Sequence, residues 1–124
     1  MKHQHLLVRG RGKAKLDPEE AADLLRKIIV AVGMRIANIP GNPLVYDCTV
    51  PGNEGVTVAA VIETSHCVIH TWTHETHDLT LYQFDLYSCA HFDPVHVCRI
   101  LKDHLDFVSF ERMLIDRTIG LQNA

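Results

Sequence analysis

Apolar residues recur at helical spacing in two segments of the chain, one after Asp17-Pro18 and one after Asp93-Pro94. Three- to four-residue spacing places these positions on one face of a helix. Asp followed by Pro is typical of a helix cap and the first helical residue. The pattern therefore predicts two amphipathic helices, the first of which ends at Gly33. Their apolar positions are Leu24, Leu25, Ile28, Ile29 and Val32 in the first helix, and Val97, Cys98, Leu101 and Leu105 in the second.

The other apolar segments are shorter, and they alternate with polar residues or are rich in β-branched residues, which favours strands. We expect strands at residues 5–8, 44–50, 56–62, 67–72, 79–87 and 107–115. The order β-α-β-β-β-β-α-β predicts an α+β fold, in which one antiparallel sheet carries both helices on a single face. The other face needs cover, which a second copy supplies most simply, so we expect a homodimer.

Composition favours one globular domain that spans residues 1–124, since 47% of the residues are hydrophobic and 22% are charged. A net charge of −3 lacks the basic footprint of a nucleic-acid binder. The apolar stretches are too short to cross a bilayer or to form a signal-peptide core. We therefore expect a cytoplasmic protein with reduced cysteines and with no nucleic-acid or membrane partner.

Chemically reactive side chains are concentrated around the fourth expected strand. The chain has nine histidines, and five of them lie between Ser65 and His91. Burying such polar groups without partners costs about 1–3 kcal/mol each, so core strands tend to avoid them. The concentration indicates a functional site.

Two interpretations of this segment are a metal site and a hydrolase. On an extended strand, His66, His70 and His74 share one face, and His74 forms an HxxH pair with His77. Three imidazoles and a water can hold zinc, but no carboxylate or cysteine pattern completes a known ligand set, so we expect no metal. A hydrolase with Ser65 or Cys67 as nucleophile lacks the sharp glycine-rich turn that such a nucleophile needs.

Self-processing is the third interpretation. The Ser65 hydroxyl can attack the carbonyl of Thr64 to give an ester, and loss of the serine α-proton then expels the ester carboxylate. Hydrolysis of the resulting dehydroalanine leaves a pyruvoyl group. This chemistry needs a base and oxyanion donors, for which His70 and Thr57 are candidates. Ser65 and His70 are five positions apart, so a regular strand directs them to opposite faces, and a bulge or the broken backbone itself would have to bring them together.

The segment Ser65–Trp72 reads Ser-His-Cys-Val-Ile-His-Thr-Trp. It resembles the signature E-S-H-x-x-I-H-T-W of the small prokaryotic S-adenosylmethionine decarboxylases, which are pyruvoyl enzymes. Weaker resemblances lie at Gly55-Val56-Thr57, at Tyr87-Ser88-Cys89-Ala90 and at Asp93-Pro94. The resemblance implies that cleavage between Thr64 and Ser65 gives chains 1–64 and 65–124 and converts Ser65 into the pyruvoyl cofactor.

The same resemblance implies the remaining roles. His70 would be the base of self-processing, and Thr57 would stand where the family has an assisting serine. Cys89 would return a proton to the α-carbon of a small-molecule substrate after carbon dioxide leaves. The pyruvoyl group would hold the substrate amine as a Schiff base. The product would supply aminopropyl groups for spermidine synthesis.

The chain also departs from the family pattern. Thr64 replaces the usual Glu, and Glu75 would have to bind the ribose through a one-residue shift. The aromatic that stacks on adenine has no clear counterpart near Pro51-Gly52-Asn53. These departures leave two alternatives open, namely a pyruvoyl decarboxylase of ornithine or arginine, and an unprocessed family member that acts as a binding partner.

Overall fold

The computed structural model describes residues 1–73 and 78–124, and in these ranges the chain forms one antiparallel sheet of seven strands and two helices. The strands are β1 (Gln4–Gly12), β2 (Leu44–Cys48), β3 (Gly55–Ile62), β4 (Ser65–Trp72), β5 (Thr80–Ser88), β6 (Phe107–Asp116) and β7 (Gln122–Asn123). The helices are α1 (Pro18–Ala31) and α2 (Pro94–Leu105). The strand order across the sheet is β2-β3-β4-β5-β1-β6-β7, which confirms the predicted α+β class.

Both helices begin where the sequence predicts. Asp17 caps α1 in a capping box, where its Oδ1 accepts from the Glu20 N–H at 2.8 Å and Glu20 Oε1 accepts from the Asp17 N–H at 3.0 Å. The Asp93 carboxylate accepts from the Val95 N–H at 3.0 Å at the start of α2. Within the described ranges, neither helix is long and apolar enough to cross a membrane.

Alternate strand positions divide the sheet into two faces. One face packs against both helices and forms the core, to which the strands contribute buried residues such as Leu6, Val8, Val58, Ile69 and Leu86. We call the other one the open face. Its side chains, which the strand registers bring together, include Tyr46, Thr57, Ala59, Val61, His66, Val68, His70, Trp72, Gln83, Asp85, Tyr87, His5, Leu7, Arg9, Glu111 and Met113. It mixes apolar residues with charged and aromatic ones.

The strand boundaries differ from the predicted ones mainly at β1, which continues to Gly12 instead of ending at Val8. Gly10 and Gly12 make this extension possible, since a Cβ at Gly12 would overlap the Leu105 carbonyl and one at Gly10 would meet the Phe107 ring. Glycine at these two positions therefore permits close packing against the segment that follows α2. β4 also begins earlier than predicted, at Ser65, and the two-residue β7 was not predicted.

Gly55 begins β3 in a conformation that only glycine adopts readily. Its φ is 157°, and a Cβ there would overlap the carbonyl oxygen of Thr71 on β4. Thr71 Oγ1 in turn accepts from the Val56 N–H at 2.9 Å, so the two strands are in close contact at this point. The structure leaves no room for a side chain at residue 55.

Gly55→Ala should lower the free energy of unfolding by about 3 kcal/mol, because it combines backbone strain with a clash against main-chain atoms. The matched control is Gly52→Ala, where φ is 86° and no atom lies within 4 Å of the added Cβ. Strain alone should cost the control about 1 kcal/mol. Urea denaturation measures both, and equal losses would contradict this account of Gly55.

Candidate active site

Ser65 lies at the start of β4, directly after a tight hairpin. β3 and β4 are joined only by Glu63-Thr64, and Ser65 pairs with Ile62 at the end of β3. Ser65 has a φ of 146°, which a residue with a side chain rarely adopts. Such a conformation stores about 1–3 kcal/mol of strain. The strain is located next to the peptide bond that the sequence predicts to break.

The end of β5 holds the residue before Ser65. The N–H of Cys89 donates to the carbonyl oxygen of Thr64, with an N···O distance of 3.0 Å. The hydroxyl of Ser88, which is fully buried, donates to Thr64 Oγ1 at 2.9 Å and accepts from the Ala90 N–H at 3.0 Å. A backbone N–H at this distance stabilises negative charge that develops on the carbonyl oxygen. The surroundings of Thr64 therefore suit attack on its carbonyl carbon.

Thr57 and His70 form a second pair of predicted site residues. They are cross-strand partners on β3 and β4, and Thr57 Oγ1 lies 2.8 Å from His70 Nδ1. The His70 ring stacks on Trp72 with a centroid distance of 5.6 Å. Trp72 Nε1 donates to the side chain of Asn53 at 2.9 Å, which fixes the stack. The imidazole of His70 is thus held in one orientation on the open face.

The structure separates these two groups within one chain. The pairing of β4 with β3 and with β5 continues without a shift from Ser65 to His70, so the first of the two possibilities, a bulge, is wrong. Five residues of regular strand span about 16 Å. Ser65, Thr64 and Cys89 lie together, but His70 and Thr57 are far from them. The positions proposed for Glu75, His74 and His77 lie outside the described residues.

A histidine cluster that the sequence analysis missed lies close to Ser65 on the open face. His66 contacts Asp85 of β5, and Asp85 also contacts His5 of β1. The sequence grouped His66 with His70 because the two share a face of β4. Strand order explains the difference, since β5 lies between β4 and β1 and brings residues distant in sequence together.

Tyr46 is an exposed aromatic that the sequence analysis also missed. It lies on β2 directly opposite Thr57, with 61% of its surface exposed. The neighbouring Cys48, by its charge and its hydrogen bond, raises the pKa of the Tyr46 phenol. The family resemblance implied an adenine-stacking aromatic near residues 51–53, where the chain has no clear counterpart. The antiparallel pairing of β2 with β3 instead brings Tyr46 to Thr57 from eleven positions earlier in the chain.

The cysteines differ in what they can do. Cys67 is completely buried, and this burial, together with the charge of Asp85, raises the pKa of its thiol well above the ordinary value. A thiol in that state is a poor nucleophile, so the hydrolase interpretation based on Cys67 loses support. Cys98 is buried in the core on α2, and Cys89 is partly exposed.

Comparison with known proteins identifies the fold and the family of the chain. The chain is similar in structure to the adenosylmethionine decarboxylase from Aquifex aeolicus VF5, with a TM-score of 0.72 and 22% sequence identity over 95% of this chain and 92% of that one. The shared class is an α+β protein with the adenosylmethionine decarboxylase fold. The sequence profile of the S-adenosylmethionine decarboxylase family matches residues 9–118, so the chain belongs to that family. No curated protein sequence matches it significantly.

Proposed function

We propose that this chain cleaves itself between Thr64 and Ser65 and uses the resulting pyruvoyl group to decarboxylate S-adenosylmethionine. The observation that carries the proposal is the strained Ser65, whose preceding carbonyl accepts the Cys89 N–H at 3.0 Å. Membership in the S-adenosylmethionine decarboxylase family supports the decarboxylase activity. The product would supply aminopropyl groups for polyamine synthesis.

Cleavage would begin when the Ser65 hydroxyl attacks the carbonyl carbon of Thr64. A C–O bond forms and the Thr64–Ser65 C–N bond breaks, while the hydroxyl proton passes through a base to the nitrogen. The base then removes the α-proton of residue 65, and the carboxylate of Thr64 leaves. This elimination breaks the Cβ–O bond and leaves dehydroalanine, which tautomerises to an imine. Water then adds to the imine carbon and ammonia leaves, which gives the pyruvoyl end. The Cys89 N–H stabilises the oxyanion of the first step, and release of the strain at Ser65 favours it.

His70 is the proposed base, and its distance from Ser65 requires a second copy of the chain. The open face carries apolar side chains that water contacts in one copy, among them Val61 at 48% and Met113 at 53% exposure. Packing two open faces together would bury these residues, and we propose that it also places the partner's His70 near the β3–β4 hairpin, where the unusual backbone of Ser65 departs from the regular strand. We therefore include a homodimer with shared sites in the proposal. Thr57 would orient His70 through their 2.8 Å contact.

Cys89 is the proposed proton donor during decarboxylation. A pyruvoyl carbonyl linked to a substrate amine draws electrons from the bond to the carboxylate. The α-carbon then needs a proton, which a partly exposed thiol next to residue 65 can give. Ser65 lies at the end of the hairpin and already carries the atoms from which the group forms, so the residues present fit a pyruvoyl group.

The surroundings of Thr57 support S-adenosylmethionine as the substrate. Tyr46 is exposed beside Thr57, and such a ring can stack on a nucleobase. We therefore favour S-adenosylmethionine. Whether Glu75 binds the ribose remains a proposal from the sequence.

A second candidate substrate is ornithine or arginine. The open face has a depression of about 390 Å³ in which Asp85 and Glu111 take part. Their carboxylates could hold the side-chain cation of such an amino acid.

Self-cleavage is tested by the mass of the purified protein. We expect the 14.0 kDa chain to convert into two fragments of about half that mass, the second blocked at its N-terminus by the pyruvoyl group. Ser65→Ala should stay intact because it lacks the attacking hydroxyl. Thr49→Ala, at an exposed position after β2 and outside the sheet, is the matched control and should cleave normally. A wild-type chain that stays intact would support the non-catalytic alternative instead.

The shared site is tested by mixing two variants. His70→Ala alone should cleave about 100-fold more slowly, since the base is lost. Co-expression with Ser65→Ala, which keeps His70, should restore cleavage of the His70→Ala chain, and differently tagged chains distinguish the products by mass. The matched control partner, Ser65→Ala/His70→Ala, should restore nothing. Lack of rescue in isolated mixed dimers would mean that the base belongs to the same chain.

The substrate is tested by carbon dioxide release from S-adenosylmethionine, ornithine and arginine. We expect release from S-adenosylmethionine, with KM raised about 10-fold in Tyr46→Ala because base stacking contributes on the order of 1–3 kcal/mol. Tyr46→Phe keeps the ring and should resemble the wild type. Faster release from ornithine or arginine, with no effect of Tyr46→Ala, would favour the second candidate.

A further inference from the structure

Three side chains from neighbouring strands converge on the open face near Ser65. The Nε2 atom of His5 lies 3.2 Å from Asp85 Oδ1, and the Nε2 atom of His66 lies 3.4 Å from the same oxygen. One potential ligand atom from each of the three residues lies within 4.8 Å of the other two. The His5 and His66 rings are almost perpendicular, at 87°. Two imidazole nitrogens and one carboxylate oxygen therefore lie within a few ångströms of one another.

The spacing of these atoms matches the edge of a tetrahedron around zinc. Zinc lies about 2.0–2.1 Å from nitrogen and oxygen ligands, so two tetrahedral ligands are about 3.3 Å apart. Octahedral ligands of a small ion such as magnesium lie about 2.9 Å apart at their closest. The two measured contacts of 3.2 and 3.4 Å fit the tetrahedral value. The imidazole nitrogens of His5 and His66 lie within 4.8 Å of each other, so their separation would have to shorten by at most about 1.5 Å to reach the tetrahedral value.

Exposure and charge also suit an ion. The side chains of His5, Asp85 and His66 are 18%, 31% and 45% exposed in a single copy, so the cluster is anchored in the sheet and reachable from one side before two copies pack together. Two neutral imidazoles and one carboxylate carry a charge of about −1, which a divalent cation more than neutralises. This donor set suits zinc better than magnesium or calcium, which prefer oxygen ligands alone.

We propose that His5, His66 and Asp85 bind one zinc-type divalent transition-metal ion, with a fourth coordination position open toward the open face. This site is independent of the self-cleavage proposed above, because none of its ligands takes part in that chemistry. It also differs from the His66–His70–His74 set that the sequence indicated. Residues on one strand cannot supply it, since β1, β4 and β5 each give one ligand.

Arg117 competes with the ion for His5. Its Nη1 atom lies 3.4 Å from His5 Nδ1, and its guanidinium lies 4.0 Å above the ring of Tyr87. A neutral histidine that binds zinc through Nε2 carries its proton on Nδ1, and a guanidinium only donates hydrogen bonds. The contact with Arg117 must therefore open when zinc binds. Removal of Arg117 should therefore strengthen zinc binding at this cluster, whereas it should not change zinc binding at a site elsewhere on the protein.

Zinc titration of tag-free Ser65→Ala protein by calorimetry tests the proposal, because this variant removes self-cleavage from the measurement. His74→Gln and His77→Gln are included in every sample, since that HxxH pair offers a competing site. We expect one zinc per chain. Asp85→Asn, which keeps the size of the side chain, should weaken binding on the order of 100-fold, and Arg117→Gln should strengthen it severalfold. His96→Gln on α2, in the helix layer, is the matched control and should change nothing.

Cobalt(II) provides a second readout that does not depend on affinity. A tetrahedral site gives an intense visible absorption, and an octahedral one gives a weak band. We expect the intense band in the protein that carries Ser65→Ala, His74→Gln and His77→Gln, and its loss when His66→Gln is added. Circular dichroism checks that each variant is folded. Zinc binding that is absent, or equally tight in folded Asp85→Asn, overturns the proposal, as does an octahedral cobalt spectrum.

Discussion

The unbroken antiparallel register of β4 between β3 and β5 is the constraint on which the rest of the site depends. It ends β3 and begins β4 at a hairpin with only two linking residues, which forces Ser65 into its unusual backbone conformation. It also places the end of β5 where the Cys89 N–H meets the carbonyl of Thr64. The same regularity keeps His70 distant from Ser65. In the proposed self-cleavage, one geometric feature would therefore prepare the bond for attack and keep the proposed base away from it.

The distance between His70 and Ser65 bears on the proposed role of the open face. If His70 could reach Ser65 within one chain, a face with exposed valine and methionine would need another explanation. Because it cannot, the surface that we propose to be covered by a second copy also carries the proposed base and the exposed Tyr46. In this proposal the same dimer contact buries the apolar residues and completes the site, so a monomer would be expected to fold but to remain inactive.

Local signals in the sequence predicted a large part of this structure. The Asp-Pro pairs predicted both helix starts, and the segment from Ser65 to Trp72 indicated the family. Contacts between strands could not be predicted, because strand order is not visible in the spacing of residues. For that reason the link from His66 through Asp85 to His5 was missed, and Tyr46 was not matched with Thr57. A bulge in β4, one of the two possibilities for bringing Ser65 and His70 together, was wrong because β4 pairs without a shift with strands on both of its sides.

The position of β1 has a consequence for a cleaved chain. β1 precedes residue 65 in the chain. It pairs with β5 on one side and with β6 on the other, and both of these strands come after residue 65. β3, also before the cut, pairs with β4 after it. The two pieces would be interleaved within a single sheet, so a cut covalent bond would not free either piece. They would come apart only by unfolding, and refolding would become an encounter of two molecules, dependent on concentration, where the precursor needs only one.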